Sequence, residues 1–219
     1  MPVIFLPTIQ HTGTWFLIEL LRNHTGVDYF IEEKELPVTK HRKGTVLLQI
    51  HFSTMEGWQE EILVACKAII PVRDPLLALI SRQVRHPEKD HIGIIDGFLT
   101  LVEWYRKYGK KQIFTFPIDL AVTMSANERF QLIQSAIAFV DLVDDDIDWA
   151  RQVHWAYKWP IINTIGTAGD VLLGFYKTGV VTSIADTMPE EYEYLKSKEG
   201  ILKPFLQEIG YQNLPWWTV

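Results

Sequence analysis

The chain has 219 residues, 47% of them hydrophobic, a formal net charge of −6 and one cysteine. A chain of this size and composition buries a substantial core and is not disordered. Net negative charge argues against broad nucleic-acid binding, which needs a positive surface to displace counterions, and one cysteine excludes an intrachain disulfide.

Met1 to Pro7 is apolar but short, without a basic region or a small-residue cleavage site, so it reads as a strand and not a signal peptide. No stretch approaches the ~20 apolar residues of a membrane span. The expected setting is cytoplasmic, with no membrane partner. Cys66, in an apolar stretch, reads as a small buried hydrophobe.

The elements follow in chain order. Val3 to Leu6 is a short apolar run closed by Pro7, suited to a buried strand. Thr8 to Gly13 is a polar turn. Phe16, Leu17, Leu20 and Leu21 then recur at helical spacing. Val46 to Ile50 is a second strand, after the turn-like Lys43-Gly44, and Ala68 to Val72 a third. Pro75 stands at a plausible first helical position, and Leu76, Leu77, Ile80 and Val84 give residues 75–84 an apolar face. Residues 94–108 read as a helix stopped by Gly109. Gln112 to Phe116 is a fourth strand, ended by Pro117. Residues 126–140 form an amphipathic helix, and residues 189–209 a last helix stopped by Gly210. Asp144 to Asp146 with Asp148 reads as a solvated turn or helix start.

Strands alternate with helices over residues 1–219, with no repeat and no low-complexity linker. That pattern predicts a single α/β domain, a mostly parallel sheet covered by helices on both faces. In such sheets ligands bind at the carboxyl ends of strands. The 7–15 loop, His51 and Arg73 each follow a predicted strand, so they converge on one crevice if the strands are neighbours.

The loop Pro7-Thr8-Ile9-Gln10-His11-Thr12-Gly13-Thr14-Trp15 opens the first helix. Amides at a helix N-terminus bind anions, and Thr12 and Thr14 add hydroxyls. It is not a Walker A loop, which needs GxxxxGK and then Ser or Thr: no lysine lies between Met1 and Glu33.

Several segments together resemble the sulfotransferases that use 3′-phosphoadenosine 5′-phosphosulfate (PAPS). His11-Thr12-Gly13-Thr14-Trp15 is similar to the family's Pro-Lys-Ser-Gly-Thr-Thr-Trp loop. Ile69 to Ser81 is similar to the family's strand–Arg–helix element, with Arg73 and Ser81 at the family's spacing of eight residues. Gln49-Ile50-His51-Phe52 resembles the Lys-Thr-His-Leu segment of the catalytic base. Phe175-Tyr176-Lys177-Thr178-Gly179-Val180-Val181 resembles the late Phe-Phe-Arg-Lys-Gly-Val-Val segment. Thr187 to Glu191 is similar to the family's terminal helix entry. Phe116-Pro117-Ile118-Asp119-Leu120 resembles a strand end reading Tyr-Glu-Asp-Leu.

The resemblance implies a P-loop-NTPase-like sulfotransferase fold, a three-layer sandwich. It implies transfer of a sulfuryl group from PAPS to a hydroxyl or amine, with adenosine 3′,5′-bisphosphate as product and no metal. Gln10, His11, Thr12, Gly13, Thr14 and Trp15 would hold the 5′-phosphosulfate end, with Trp15 near the adenine. Arg73, Ser81, Lys177, Thr178 and Gly179 would hold the 3′-phosphate. His51 would be the general base, and an unperturbed imidazole, pKa ~6.5, can take a proton at neutral pH. His11 would offset charge on the leaving phosphate.

The sequence departs from the family at the loop lysine, replaced by Gln10 or His11, and at Gln49, Lys177-Thr178 and Ile184. Positive charge around the donor is lower as a result, which bears on turnover and donor affinity more than on the fold. Two other readings stand beside the enzyme: a sulfotransferase-like nucleotide-binding protein without turnover, and a P-loop-related nucleotide kinase. The acceptor is expected to be a small molecule or carbohydrate. Trp58, Trp104, Tyr105 and Trp155 are candidates to line its pocket, and Trp149, Trp155 and Trp159 crowd one region. The sequence sets neither the acceptor nor the oligomeric state.

Overall fold

The structure is a computed structural model that describes residues 3–9, 12–22, 24–32, 44–51, 58–87, 91–142 and 185–218. Five strands form one parallel sheet: β1 (Val3–Thr8), β2 (Tyr29–Glu32), β3 (Val46–His51), β4 (Ala68–Val72) and β5 (Ile113–Pro117), in the order β2-β3-β1-β4-β5. The helices are α1 (Thr14–Arg22), α2 (Trp58–Ala65), α3 (Pro75–Arg85), α4 (Ile92–Tyr108), α5 (Ile118–Thr123), α6 (Ala126–Phe139), α7 (Pro189–Ser197) and α8 (Glu199–Glu208).

The central strands are near-continuous apolar runs because both faces of the sheet are covered. On one face Ile4, Leu6, Leu47, Ile69 and Phe116 pack with Leu17, Ile18 and Leu21 of α1 and Ile133 and Ile137 of α6. On the other, Phe5, Leu48, Ile50, Ile70 and Val72 pack with α2, α3, α4, α7 and α8 through residues such as Leu63, Leu76, Phe98, Leu195 and Phe205. The result is the three-layer α/β arrangement expected from the alternation of elements.

Chain direction reverses at β1. From β1 the chain passes by α1, on one face, to the β2 edge. From β3 it returns by α2, on the opposite face, to β4 on the far side of β1. In sheets of this kind ligands bind at such a switch point, outside the carboxyl ends of the strands.

Pro117 ends β5 as the sequence suggested, but Pro7 does not end β1: it lies inside the strand. The reason is the side to which the N–H of residue 7 would point. Phe5 N–H donates to Lys67 O at 3.1 Å, toward β4, so by the alternation of a parallel ladder residue 7 also faces β4. The ladder to β3 runs unbroken from Val3–Val46 to Thr8–His51. Ala68 N–H donates to Gln112 O at 2.9 Å, toward β5, which turns Pro71 back to β1. Two prolines without N–H groups therefore face each other's strands, and the pairing of β1 with β4 is confined to Phe5 and Ala68.

Other boundaries also moved. The expected helix over 189–209 is two helices meeting at Lys198. Ser197 Oγ donates back to Tyr194 O at 2.7 Å, a local bond that competes with the helix ladder. Lys198 O instead accepts from Ile201 and Leu202, starting α8. Gly210, at φ +106°, follows α8 as expected. The strand β2 and the helix α2 were not anticipated: β2 has four residues and α2 only eight, too few for a clear period. The acidic run 144–148, Trp149, Trp155 and Trp159 lie outside the described residues. No helix among the described residues is long and apolar enough to cross a membrane.

Candidate active site

Adjacent strands lie about 4.8 Å apart, so β3 and β4, on either side of β1, end about 10 Å from one another. The loop after β1, His51 and Arg73 thus gather at neighbouring strand ends, as the sequence predicted.

Thr8 ends β1 and pairs in register with His51, the last residue of β3. Thr8 is fully buried and Gln49 is nearly so. Thr8 Oγ1 lies 3.1 Å from His51 Nδ1, and Gln49 Nε2 donates to it at 3.0 Å. Gln49 and His51, two residues apart in one strand, face the same way.

Beyond Thr8 the chain turns into α1. Thr12 is buried, and its hydroxyl donates to Ile9 O at 2.7 Å, so this side chain closes the loop. Gly13 has φ +86°, a region that favours glycine, and the place a Cβ would take is 2.9 Å from Ile118 Cγ2. Packing by Ile118 thus accounts for a glycine at position 13 alongside the close backbone approach expected there. Thr14 begins α1, and its Oγ1 is buried with no hydrogen-bond partner among the described residues. Trp15 is the second residue of α1. Gln10 and His11 lie outside the described residues.

Arg73 follows β4 directly. Val72 pairs with Pro117, so the residues after β4 and β5 meet. Arg73 Nε donates to Asp119 Oδ1 at 2.9 Å, with side chains 16% and 13% exposed. The Arg-Asp-Pro sequence invites an ion pair with the neighbouring Asp74; the structure adds a pair with the distant Asp119. Asp119 Oδ2 also accepts Asp74 N–H at 2.7 Å. Asp74 caps α3, accepting Leu76 N–H at 2.9 Å, with Pro75 at the first helical position as expected. Ser81 is buried on α3, two turns on from that cap.

Burial, with the charge of Asp119 second, pushes the Asp74 carboxyl up to about 7. Burial also holds Asp119 above the ordinary carboxylate range, against the opposing pull of the Arg73 charge. The Cys66 thiol, half-buried and donating to Ile62 O at 3.0 Å, is pushed up to about 11 by burial, which leaves little of the reactive thiolate.

The sequence carries no sign of the contact between Gln49 and Thr8, or of the tail residue Trp216, whose indole reaches Asp74. Asp119 appears in it only as part of a likeness. That Gln49 faces the same way as His51 is legible, since residues i and i+2 of a strand share a face. The Thr8 and Asp119 contacts depend on register between strands. Lys177, Thr178, Gly179 and Trp155 lie outside the described residues. Trp104 and Tyr105 belong to the core on α4, with the Tyr105 ring edge-on to Phe205.

No protein-family model matches the chain, and no curated protein matches it. Solved structures do. Mouse sulfotransferase SULT7A1, complexed with PAP, superposes with a TM-score of 0.51 at 13% identity, over 73% of this chain. This chain spans 65% of the mouse chain. Retinol dehydratase, in complex with androsterone and the inactive cofactor PAP, superposes with a TM-score of 0.52 at 12% identity, over 97% of this chain and 83% of the other. Likeness at such identities is a likeness of fold. The parallel five-stranded sheet with helices on both faces is the α/β fold that this chain shares with the mouse sulfotransferase and the retinol dehydratase.

Proposed function

We propose that the chain is a sulfotransferase that binds PAPS and moves its sulfuryl group to a hydroxyl or amine of a small molecule or carbohydrate. The observation that carries this reading is the meeting of the β1–α1 loop, His51 and Arg73 at three adjacent strand ends, in a fold shared with two PAP-bound structures. A phosphorylated nucleotide fits the residues there. The α1 amides and the buried Thr14 hydroxyl offer donors at one side of the crevice. The Arg73 guanidinium, oriented through Nε by Asp119, offers a cation at the other.

When bound, PAPS supplies the sulfuryl group and a phosphate leaving group. The loop from Gln10 to Trp15 holds its 5′ end, and His11 offsets charge on the leaving oxygen. Arg73 and Ser81, with Lys177, Thr178 and Gly179, hold the 3′-phosphate. His51 Nε2 takes the proton from the acceptor. Positioning and charge stabilisation do most of the catalysis in such transfers. A cytoplasmic setting is part of this proposal.

A test combines calorimetry with adenosine 3′,5′-bisphosphate and transfer of labelled sulfate to an acceptor panel. Binding and transfer are both expected. His51→Ala should lower turnover by roughly 10²–10⁴ and keep nucleotide binding. Failure to bind the bisphosphate sinks the proposal. Binding without transfer to any acceptor favours the second reading, a nucleotide-binding relative, for which Gln49 in place of a lysine is the supporting observation.

A further inference from the structure

The end of β3 carries a finer arrangement, which rests on the reading of His51 as general base. Thr8, Gln49 and His51 lie on one face of the sheet, because Thr8 pairs with His51 and Gln49 stands two residues before it. Thr8 is 0% exposed and Gln49 4%. Three polar neighbours surround Thr8 Oγ1: Gln49 Nε2 at 3.0 Å, His51 Nδ1 at 3.1 Å and Ile50 O at 3.3 Å.

A hydroxyl has one hydrogen and two lone pairs. The amide NH2 of Gln49 only donates, so it engages one lone pair. The Ile50 carbonyl only accepts, so it takes the hydrogen. The second lone pair remains to face Nδ1. A protonated Nδ1 completes the set; a bare Nδ1 would have to draw the hydroxyl hydrogen away from Ile50 O. Turning the Gln49 amide around does not change this outcome. Its oxygen would then compete with Ile50 O for the single hydrogen, leaving still less for a bare Nδ1.

We propose that Thr8 and Gln49 are positioning residues that hold neutral His51 as its Nδ1–H tautomer, so that the ring's lone pair lies on Nε2, the atom that receives the acceptor's proton. A general base needs that lone pair, and an imidazole held in the other tautomer would present N–H to the acceptor instead.

Long-range proton–nitrogen NMR of the imidazoles in the full chain reads the tautomer directly. The His51 signals are identified by their loss in His51→Gln, at a pH where the ring is neutral. The expected pattern is a pyrrole-like Nδ1 and a pyridine-like Nε2 in the unmodified chain, a shift toward Nε2–H in Thr8→Val, and recovery in Thr8→Ser. In transfer assays Thr8→Val should lower kcat about tenfold or more with the donor KM little changed, and Thr8→Ser should restore it. An Nε2–H ring in the unmodified chain overturns the proposal without any variant. So does a Thr8→Val chain that keeps the Nδ1–H pattern. Should Thr8→Val fail to fold, Thr8→Ala replaces it, with the same shift toward Nε2–H expected and an unchanged tautomer overturning the proposal. If the chain transfers no sulfate yet shows the expected tautomers, the proposed function falls and the tautomer assignment stands.

Discussion

Trp216 Nε1 donates to Asp74 Oδ1 at 2.8 Å, joining the tail of the chain to the cap of α3, one residue beyond Arg73. Trp216 is fully buried, its carbonyl accepts from Lys196 Nζ at 3.0 Å, and nearby Tyr211 donates to Val72 O at 3.1 Å. The tail therefore braces the end of β4 and the start of α3, on either side of Arg73. Trp216→Phe keeps a ring but leaves Asp74 with one donor fewer. The expected loss is about 1–3 kcal/mol, read as a lower urea midpoint at unchanged slope. An unaltered midpoint would mean that the bond contributes nothing to stability.

Asp74 links this brace to pH. Its carboxyl is raised from 3.8 to about 7, chiefly by burial. A raised carboxyl pKa means that the folded chain holds the proton more tightly than the unfolded chain. The stabilisation is thus complete below pH 3.8 and is lost as pH rises through about 7. Asp119, also raised, acts in the same direction. Asp74→Asn keeps a good helix cap and removes one of these titrations. Urea midpoints followed across the window should show the variant gaining on the unmodified chain as pH rises. Parallel curves would refute this.

The Arg73–Asp119 pair is mostly buried, with 16% and 13% of the side chains exposed. Removing one partner strands the other. Arg73→Met and Asp119→Leu should each destabilise by about 3–5 kcal/mol, and the double variant should lose less than the sum of the two. A double-mutant cycle in urea measures the difference, and strict additivity would show that the pair is not coupled. Arg73→Met should also weaken binding of adenosine 3′,5′-bisphosphate in calorimetry by tenfold or more, about 1.4 kcal/mol.

Gly13 combines φ +86° with Ile118 Cγ2 at 2.9 Å from the place a Cβ would occupy. Gly13→Ala should cost about 1 kcal/mol for the backbone alone and more for the clash. Ile118→Ala removes the clash but not the backbone term. The double variant should therefore be less destabilised than the single costs sum to, with thermal unfolding as the readout. A cost for Gly13→Ala unaffected by Ile118→Ala would assign the whole effect to the backbone.

Residues 68–85 are legible in the sequence: strand, arginine, capped helix with proline first. Each signal there is local, an apolar run of strand length and a proline whose fixed φ suits a first helical turn. β1 shows where such reading stops. Whether Pro7 ends a strand depends on which neighbour its missing N–H would face, and that is set by the order of strands. The split between α7 and α8 was missed because the apolar period continues through Lys198, while the Ser197 hydroxyl turns back on the chain. At the candidate site, Thr14, His51 and Arg73 are legible as residue types at strand ends and a helix start, and Ser81 by its spacing from Arg73. Their partners are not.

By itself, then, the sequence determined the alternation of strands and helices and which polar residues stand at strand ends, since period, proline and glycine act within a few residues. Tertiary structure decided that Arg73 pairs with the distant Asp119, that Thr8 meets His51, and that Trp216 reaches the cap of α3. Those contacts join residues far apart in the chain, and only strand order, register and the packing of a buried tail bring them within hydrogen-bond distance.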